Sequence, residues 1–462
     1  MRFPSSSGLF VSLLGVLMTC MLLSPGAGRA DDWPQWLGPQ RDGVWRENGI
    51  LETFPAGGPK VRWRAPVSEG YSGPAVAGDR VYITDRVLAA NAKNPASPFS
   101  RNAIAGTERV LCLDDATGKV VWAHEYDCPY RVSYAAGPRT TPLVEAGKVY
   151  TLGTMGDLLC LNAATGAVIW SKNLPRDFQT KVPMWGFSAS PLLLDDMLIS
   201  LVGGPGSVVV AFDKETGAER WRSLDAGEPG YCPPTLFELD GKRELIVWHP
   251  DAVNGIDPKT GKLLWSEKFP IRAGMTIATP RQAGDLLFLS CFYDGSMMLR
   301  VNPQQASAEV VWRSHSKGER PRLTDALHCV MDTPFLKDGY IYGVCSYGEL
   351  RCLEAASGKR IWKSMQATTG GPEQRWANAF LIPQGDRCFL FNEKGDLIIA
   401  RLTPKGYEEI SRAHILEPTN RMVAGDRNGG SVVWSYPAFA HRSVYARNDK
   451  ELVCVSLAAD GK

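Results

Sequence analysis

The sequence carries no excess of charge of either sign. Of its 462 residues 51 are basic and 49 acidic, and the first thirty positions hold Arg2 and Arg29 with no acid, so the remainder is balanced. Balance excludes nucleic acid or an anionic membrane surface held by bulk attraction. Beyond residue 30 no apolar run approaches the roughly 20 residues of a membrane span, so no transmembrane segment is expected. Six histidines, at 124, 249, 315, 328, 414 and 441, lack short metal-ligand spacing, and no metal site is expected. Gly203-Gly204-Pro205-Gly206 lacks the Lys-Ser/Thr of a phosphate loop and reads as a hairpin turn. There is no Gly-x-Ser-x-Gly elbow and no Cys-x-x-Cys-His for a covalent haem.

The first segment reads as an address. Arg2 precedes an apolar run from Leu9 to Leu23, and Gly28 and Ala30 stand at −3 and −1 of a cleavage site. That is the layout of a signal peptide over 1–30, which places the mature chain in the periplasm or outside the cell. A lipoprotein reading would use Cys20, but Thr19 stands where Gly or Ala is usual.

Next comes a repeat. The pattern small-x-Asp-x-x-Thr-Gly-x-x-x-Trp runs from Cys112 to Trp122 and again from Cys160 to Trp170. It returns from Ala211 to Trp221, Gly255 to Trp265 and Cys352 to Trp362, with two extra residues from Arg300 to Trp312. A degraded copy ends at Ile410. Upstream of each copy lie Ser/Thr-Pro, a short apolar stretch, a turn and an alternating strand, as in Thr141-Pro142-Leu143-Val144. Alternation bounded by Gly and Asp predicts short strands, and Thr-Gly a tight turn with Gly at φ > 0. Each unit is therefore a four-stranded sheet, and radial packing buries its two faces.

Trp63 has an outer strand but no unit before it, while the last unit, after Val433, supplies only three strands. The orphan start completes the orphan end. The expectation is all-β: an eight-bladed β-propeller of four-stranded antiparallel blades, closed by the N-terminal strand. It spans 60–462 as one domain, after a lead-in at 31–59. Trp63, Trp122, Trp170, Trp221, Trp265, Trp312 and Trp362 hold structural repeat positions between blades.

Cys112, Cys160, Cys352 and Cys454 occupy the small first position of their units, where a thiol serves as a small hydrophobe. Cys345 and Cys352 flank a two-residue Gly348-Glu349 turn, which would set them across a hairpin. Free thiols are expected there, with a bridge as the alternative, because a disulfide needs specific geometry.

The eleven-residue pattern resembles the tryptophan-docking repeat of the pyrroloquinoline quinone (PQQ) propellers, over about 60–462. The opening from Asp32-Trp33 through Trp36, Gly38, Arg41 and Gly43 is similar to that of exported bacterial propellers called PQQ-like, as is the ending around Trp434, Pro437 and His441. The resemblance implies relatives of two kinds: quinoprotein alcohol dehydrogenases, and the non-enzymatic propeller lipoprotein of the outer-membrane barrel-assembly machine. The dehydrogenases hold PQQ over a Trp, under a disulfide of adjacent cysteines, beside Ca²⁺ bound by Glu, Asn and Asp, with an Asp base. This sequence has no Cys-Cys pair, no Gly-Asn-Pro-x-x-Trp and no His-Asp-x-Trp-Asp. PQQ with calcium is thus the alternative, and no cofactor is the expectation.

In a four-stranded blade the second-to-third-strand loop and the blade-to-blade connection emerge on one face. The long segments 85–108, 123–137, 171–187, 313–329, 363–375 and 411–431 all belong there, and long loops on a rigid scaffold carry binding. Tyr71, Tyr134, Arg139, Trp185, Tyr231, His328, Asp332, Arg375, Trp376, Asn378 and Trp434 fall near the inner-strand starts on that face and form the candidate binding set, with no catalytic residue assigned. His328 and Asp332 are the titratable pair in it. The leading expectation is an exported, monomeric, non-enzymatic scaffold that binds a protein or a polar small molecule or polymer on the long-loop face. A quinoprotein-type oxidoreductase and a carbohydrate- or polymer-binding protein are the alternatives.

Overall fold

The computed structural model describes Met1, residues 31–421 and residues 430–459; the expected signal peptide and Cys20 lie outside the described residues. Eight four-stranded antiparallel sheets make up the fold. The first blade is built in chain order from Ala75–Ala77, Arg80–Leu88, Gly106–Asp114 and Val120–Asp127. The other blades repeat that order with one exception. The eighth takes Ala438–Ala440, Ser443–Arg447 and Glu451–Ser456 from the chain's end and Val61–Pro66 from its beginning. Trp63 pairs with Cys454 across this seam, as Trp122 pairs with Cys112 and Trp170 with Cys160 within single units. The seam is therefore an ordinary outer-strand pairing made between distant parts of the chain.

Six of the seven repeat tryptophans donate to the next blade. Trp63 donates its indole N–H to the Asp115 carbonyl at 2.7 Å, Trp122 to Ala163 at 2.9 Å and Trp170 to Lys214 at 3.0 Å. Trp221, Trp312 and Trp362 do the same to Pro258, Ala355 and Thr403. The Thr-Gly glycine of the receiving blade makes the room: a Cβ on Gly118, at φ +70°, would lie 2.6 Å from the Trp63 ring. The tight turn and the tryptophan are thus two halves of one contact.

Trp265 is the exception. The fifth blade, which should receive it, carries the two-residue insertion and turns through Asn302–Ala306 with no Thr-Gly. Trp265 instead donates to Glu244 Oε2 at 2.6 Å within its own blade. Gly255 stands opposite it, where a Cβ would lie 2.2 Å from the indole nitrogen. Glycine rather than cysteine or alanine at 255 thus follows from the indole folding back.

All ten cysteines from Cys112 onward are free and buried. The strand after Tyr340–Val344 resumes at Leu350, so the turn spans 345–349 rather than two residues. Cys352 pairs with Tyr342, while the Cys345 amide bonds the Glu349 carbonyl. The pair is not opposed across the hairpin. The long segment of the first blade is also shorter than expected: Asp85 and Glu108 lie in paired strands, leaving 89–105 as loop.

The lead-in runs along the inner strands rather than hanging free. Trp33 exchanges backbone hydrogen bonds with Val76, and Val144 donates to the Pro34 carbonyl. Arg41 then donates to the carbonyl of Pro191 at 2.9 Å, and Trp45 to that of Pro383. Trp33, Leu37, Trp45 and Ile50 are buried in this path.

Candidate functional site

A cavity of about 420 Å³ is lined by residues from all eight inner-strand entrances, which places it on the ring axis at the long-loop face. Of the residues singled out above, Tyr71, Tyr134, Arg139, Trp185, Tyr231, Arg375, Trp376 and Trp434 line it. His328, Asp332 and Asn378 do not. They were expected at the mouth, but each is buried in the packing of its own blade. His328 Nδ1 lies 2.9 Å from Ser346 Oγ, and burial pushes the imidazole down to about 3. Asp332 accepts the Val344 amide at 2.9 Å, and burial raises its carboxyl to about 8. Both side chains serve local turns, so the titratable pair is not a cavity constellation.

Other lining residues were not singled out in the sequence. Phe99 comes from the first-blade loop, Tyr293 from a second-to-third-strand turn, and Phe380 and Tyr436 from inner strands or their entrances. Trp36 comes from the lead-in. Its indole donates to Thr279 Oγ1 at 3.0 Å, and its ring packs 5.0 Å from that of Tyr436. The lead-in thereby supplies an aromatic wall at the axis. Adjacent lining rings meet at angles: 64° for Trp185 and Tyr231, 59° for Trp36 and Tyr436, 42° for Tyr134 and Trp434. They form a bowl of faces and edges rather than a slot between parallel plates.

Three lining residues hold left-handed backbone: Tyr134 at φ +55°, Ala273 at +56° and Trp376 at +68°. Such conformations cost about 1–3 kcal/mol each for side chains of this kind and collect where a site imposes them. Short backbone bonds fix the two aromatics. The Tyr134 amide donates to Pro98 and the Trp376 amide to Ser346, both at 2.6 Å.

Two cations face this aromatic lining. Arg139 lies 5.2 Å from the Tyr71 ring centre and donates to the carbonyls of Gly137, Ser133 and Tyr134. These bonds pin the guanidinium without neutralising it. Arg375 stacks 4.5 Å from the Trp376 ring and pairs with Glu319 at 2.5 Å. Among the described residues the lining contains no carboxylate, carboxamide or imidazole, and no cluster of His, Cys, Asp and Glu suited to a metal ion occurs. No helix among them is long and apolar enough to cross a membrane.

The profile of the outer membrane protein assembly factor BamB matches residues 106–370. Among solved structures, BamB from Moraxella catarrhalis superposes with a TM-score of 0.52 at 15% identity, over 85% of this chain and 97% of that one. A quinohemoprotein alcohol dehydrogenase from Comamonas testosteroni gives 0.56 at 15% identity, over 93% and 81%. A europium-containing methanol dehydrogenase gives 0.57 at 12% identity, over 92% and 89%. At such identities these structures share the fold alone. No curated protein matches the chain by sequence.

Proposed function

The chain belongs to the outer membrane protein assembly factor BamB family, and from that premise we propose that it is a non-enzymatic binding protein that takes its ligand or partner at the long-loop face. The observation that carries this reading is the axial cavity: eleven aromatic rings and two arginines, with no acidic group among the described lining residues. A concave aromatic lining with few polar groups is what a binding site needs. General acid-base chemistry most often uses a carboxylate or an imidazole; the described lining has neither, and His328 and Asp332 are withdrawn from it. Sugar faces stack on such rings as well, so the same lining supports a carbohydrate or polymer ligand as the second reading.

The residues present do not fit a calcium-bound quinone. Ca²⁺ takes six to eight oxygen ligands, mostly carboxylate and carbonyl, and the described lining offers no carboxylate or side-chain amide. The n-region, apolar run and small residues before Asp31 support export, and N-terminal sequencing of the secreted protein is expected to begin at Asp31.

The test is reconstitution. The mature chain is incubated with PQQ and Ca²⁺ and assayed with primary alcohols and an artificial electron acceptor. No turnover is expected; Ca²⁺-dependent turnover contradicts the reading.

A further inference from the structure

Resting on the reading of the axial cavity as the binding site, we propose that its ligand is a small organic anion: a compact apolar or ring-shaped body bearing a carboxylate or sulfonate-type group, held without a metal ion. The first argument is charge. Arg139 stands at the lining, and its N–H groups go to three backbone carbonyls and, at 3.5 Å, to Thr154 Oγ1. No carboxylate pairs with it among the described residues, so a fixed positive charge faces an apolar cavity. Arg41 lies behind that lining, bonded to Gln35 and to the carbonyls of Ser190, Pro191 and Pro234, again with no carboxylate. A guanidinium in low dielectric favours an anion far more than one in water does.

The polarity of the lining gives the second argument. Among the described lining residues the charged side chains are Arg139 and Arg375, and Arg375 is paired with Glu319, which leaves Arg139 as the lining cation with no carboxylate beside it. A cationic ligand meets no carboxylate here, and a neutral one leaves the charge of Arg139 unused.

Shape sets the body. About 420 Å³ is a small-molecule volume. The tilted rings suit a compact body that meets both faces and edges. A free carboxylic acid and a sulfonate or sulfate ester share this chemistry, and the experiment separates them.

Intrinsic tryptophan fluorescence of the mature chain is titrated, in EDTA and again without it, with phenylacetate, benzenesulfonate, phenylacetamide and phenethylammonium. At least one of the two anions is expected to bind tenfold or more tightly than the amide, with the preference shrinking as salt rises from 0.05 to 0.5 M. Which anion leads assigns the acid group. R139Q is expected to abolish the preference and R139K to keep most of it. If R139Q fails to fold, the anion-to-amide ratio and its salt dependence in the unaltered protein decide alone. Equal or tighter binding of the amide or ammonium overturns the anion proposal and leaves the cavity as a binding site. Binding by none of the four at millimolar concentration overturns the cavity reading as well. Anion binding that EDTA abolishes overturns the metal-free claim.

Discussion

His441 Nδ1 lies 3.2 Å from a carboxylate oxygen of Asp115, 326 residues earlier in the chain. His441 Nε2 lies 3.1 Å from Asp32. One imidazole thus ties the last blade, the first blade and the lead-in at the seam of the ring. Tyr445 and Arg62 complete the cluster around Asp115.

The hydrogen bond to Asp115, with that to Asp32, raises the His441 imidazole above its ordinary value of 6.5. A raised folded-state value means the protonated pair stabilises fully below the unfolded value and that this contribution is lost as pH rises through the folded one. Chemical denaturation is expected to show stability falling as pH rises across that window. H441Q is expected to be flat there. An equal slope in H441Q contradicts the latch.

Gly118 and Gly147 both hold left-handed backbone, at φ +70° and +77°. Alanine at either costs about 1 kcal/mol of backbone strain. Only at Gly118 does the new Cβ meet a tryptophan, since nothing lies within 4 Å at Gly147. G118A is expected to destabilise by about 1–3 kcal/mol more than G147A in urea unfolding, the cost of overpacking.

Trp265 and Trp122 occupy equivalent repeat positions with different acceptors. W122F loses a bond to a backbone carbonyl, whereas W265F strips a buried carboxylate of its indole donor. Burial raises the Glu244 carboxyl and the indole bond opposes that rise. W265F is therefore expected to cost about 1–2 kcal/mol more than W122F at pH 7. The gap is expected to narrow as pH falls through the folded-state value of Glu244, because the neutral acid is cheaper to bury.

The ring was legible because its information is local and repeated: strand, turn and tryptophan recur within eleven residues, and Trp63 without a unit matched a last unit short of a strand. The behaviour of Trp265 was not, because it depends on Glu244 in another strand and on a turn in the next blade. The cavity was legible where aromatic residues precede inner strands, as at Trp185, Tyr231 and Trp376. It failed at His328, Asp332 and Asn378, where a shift of one or two positions at a strand entrance turns a side chain from the axis into the blade. Trp36 was missed because the path of the lead-in along the inner strands is a tertiary property with no local signature.

The most direct measurement of the central claim is a crystal structure of the mature chain soaked with millimolar phenylacetate. The expected result is density in the axial cavity, with the ring among Trp185, Tyr231 and Trp376 and the carboxylate toward Arg139. Probe bound only at surface sites, with the axial cavity empty, contradicts the account.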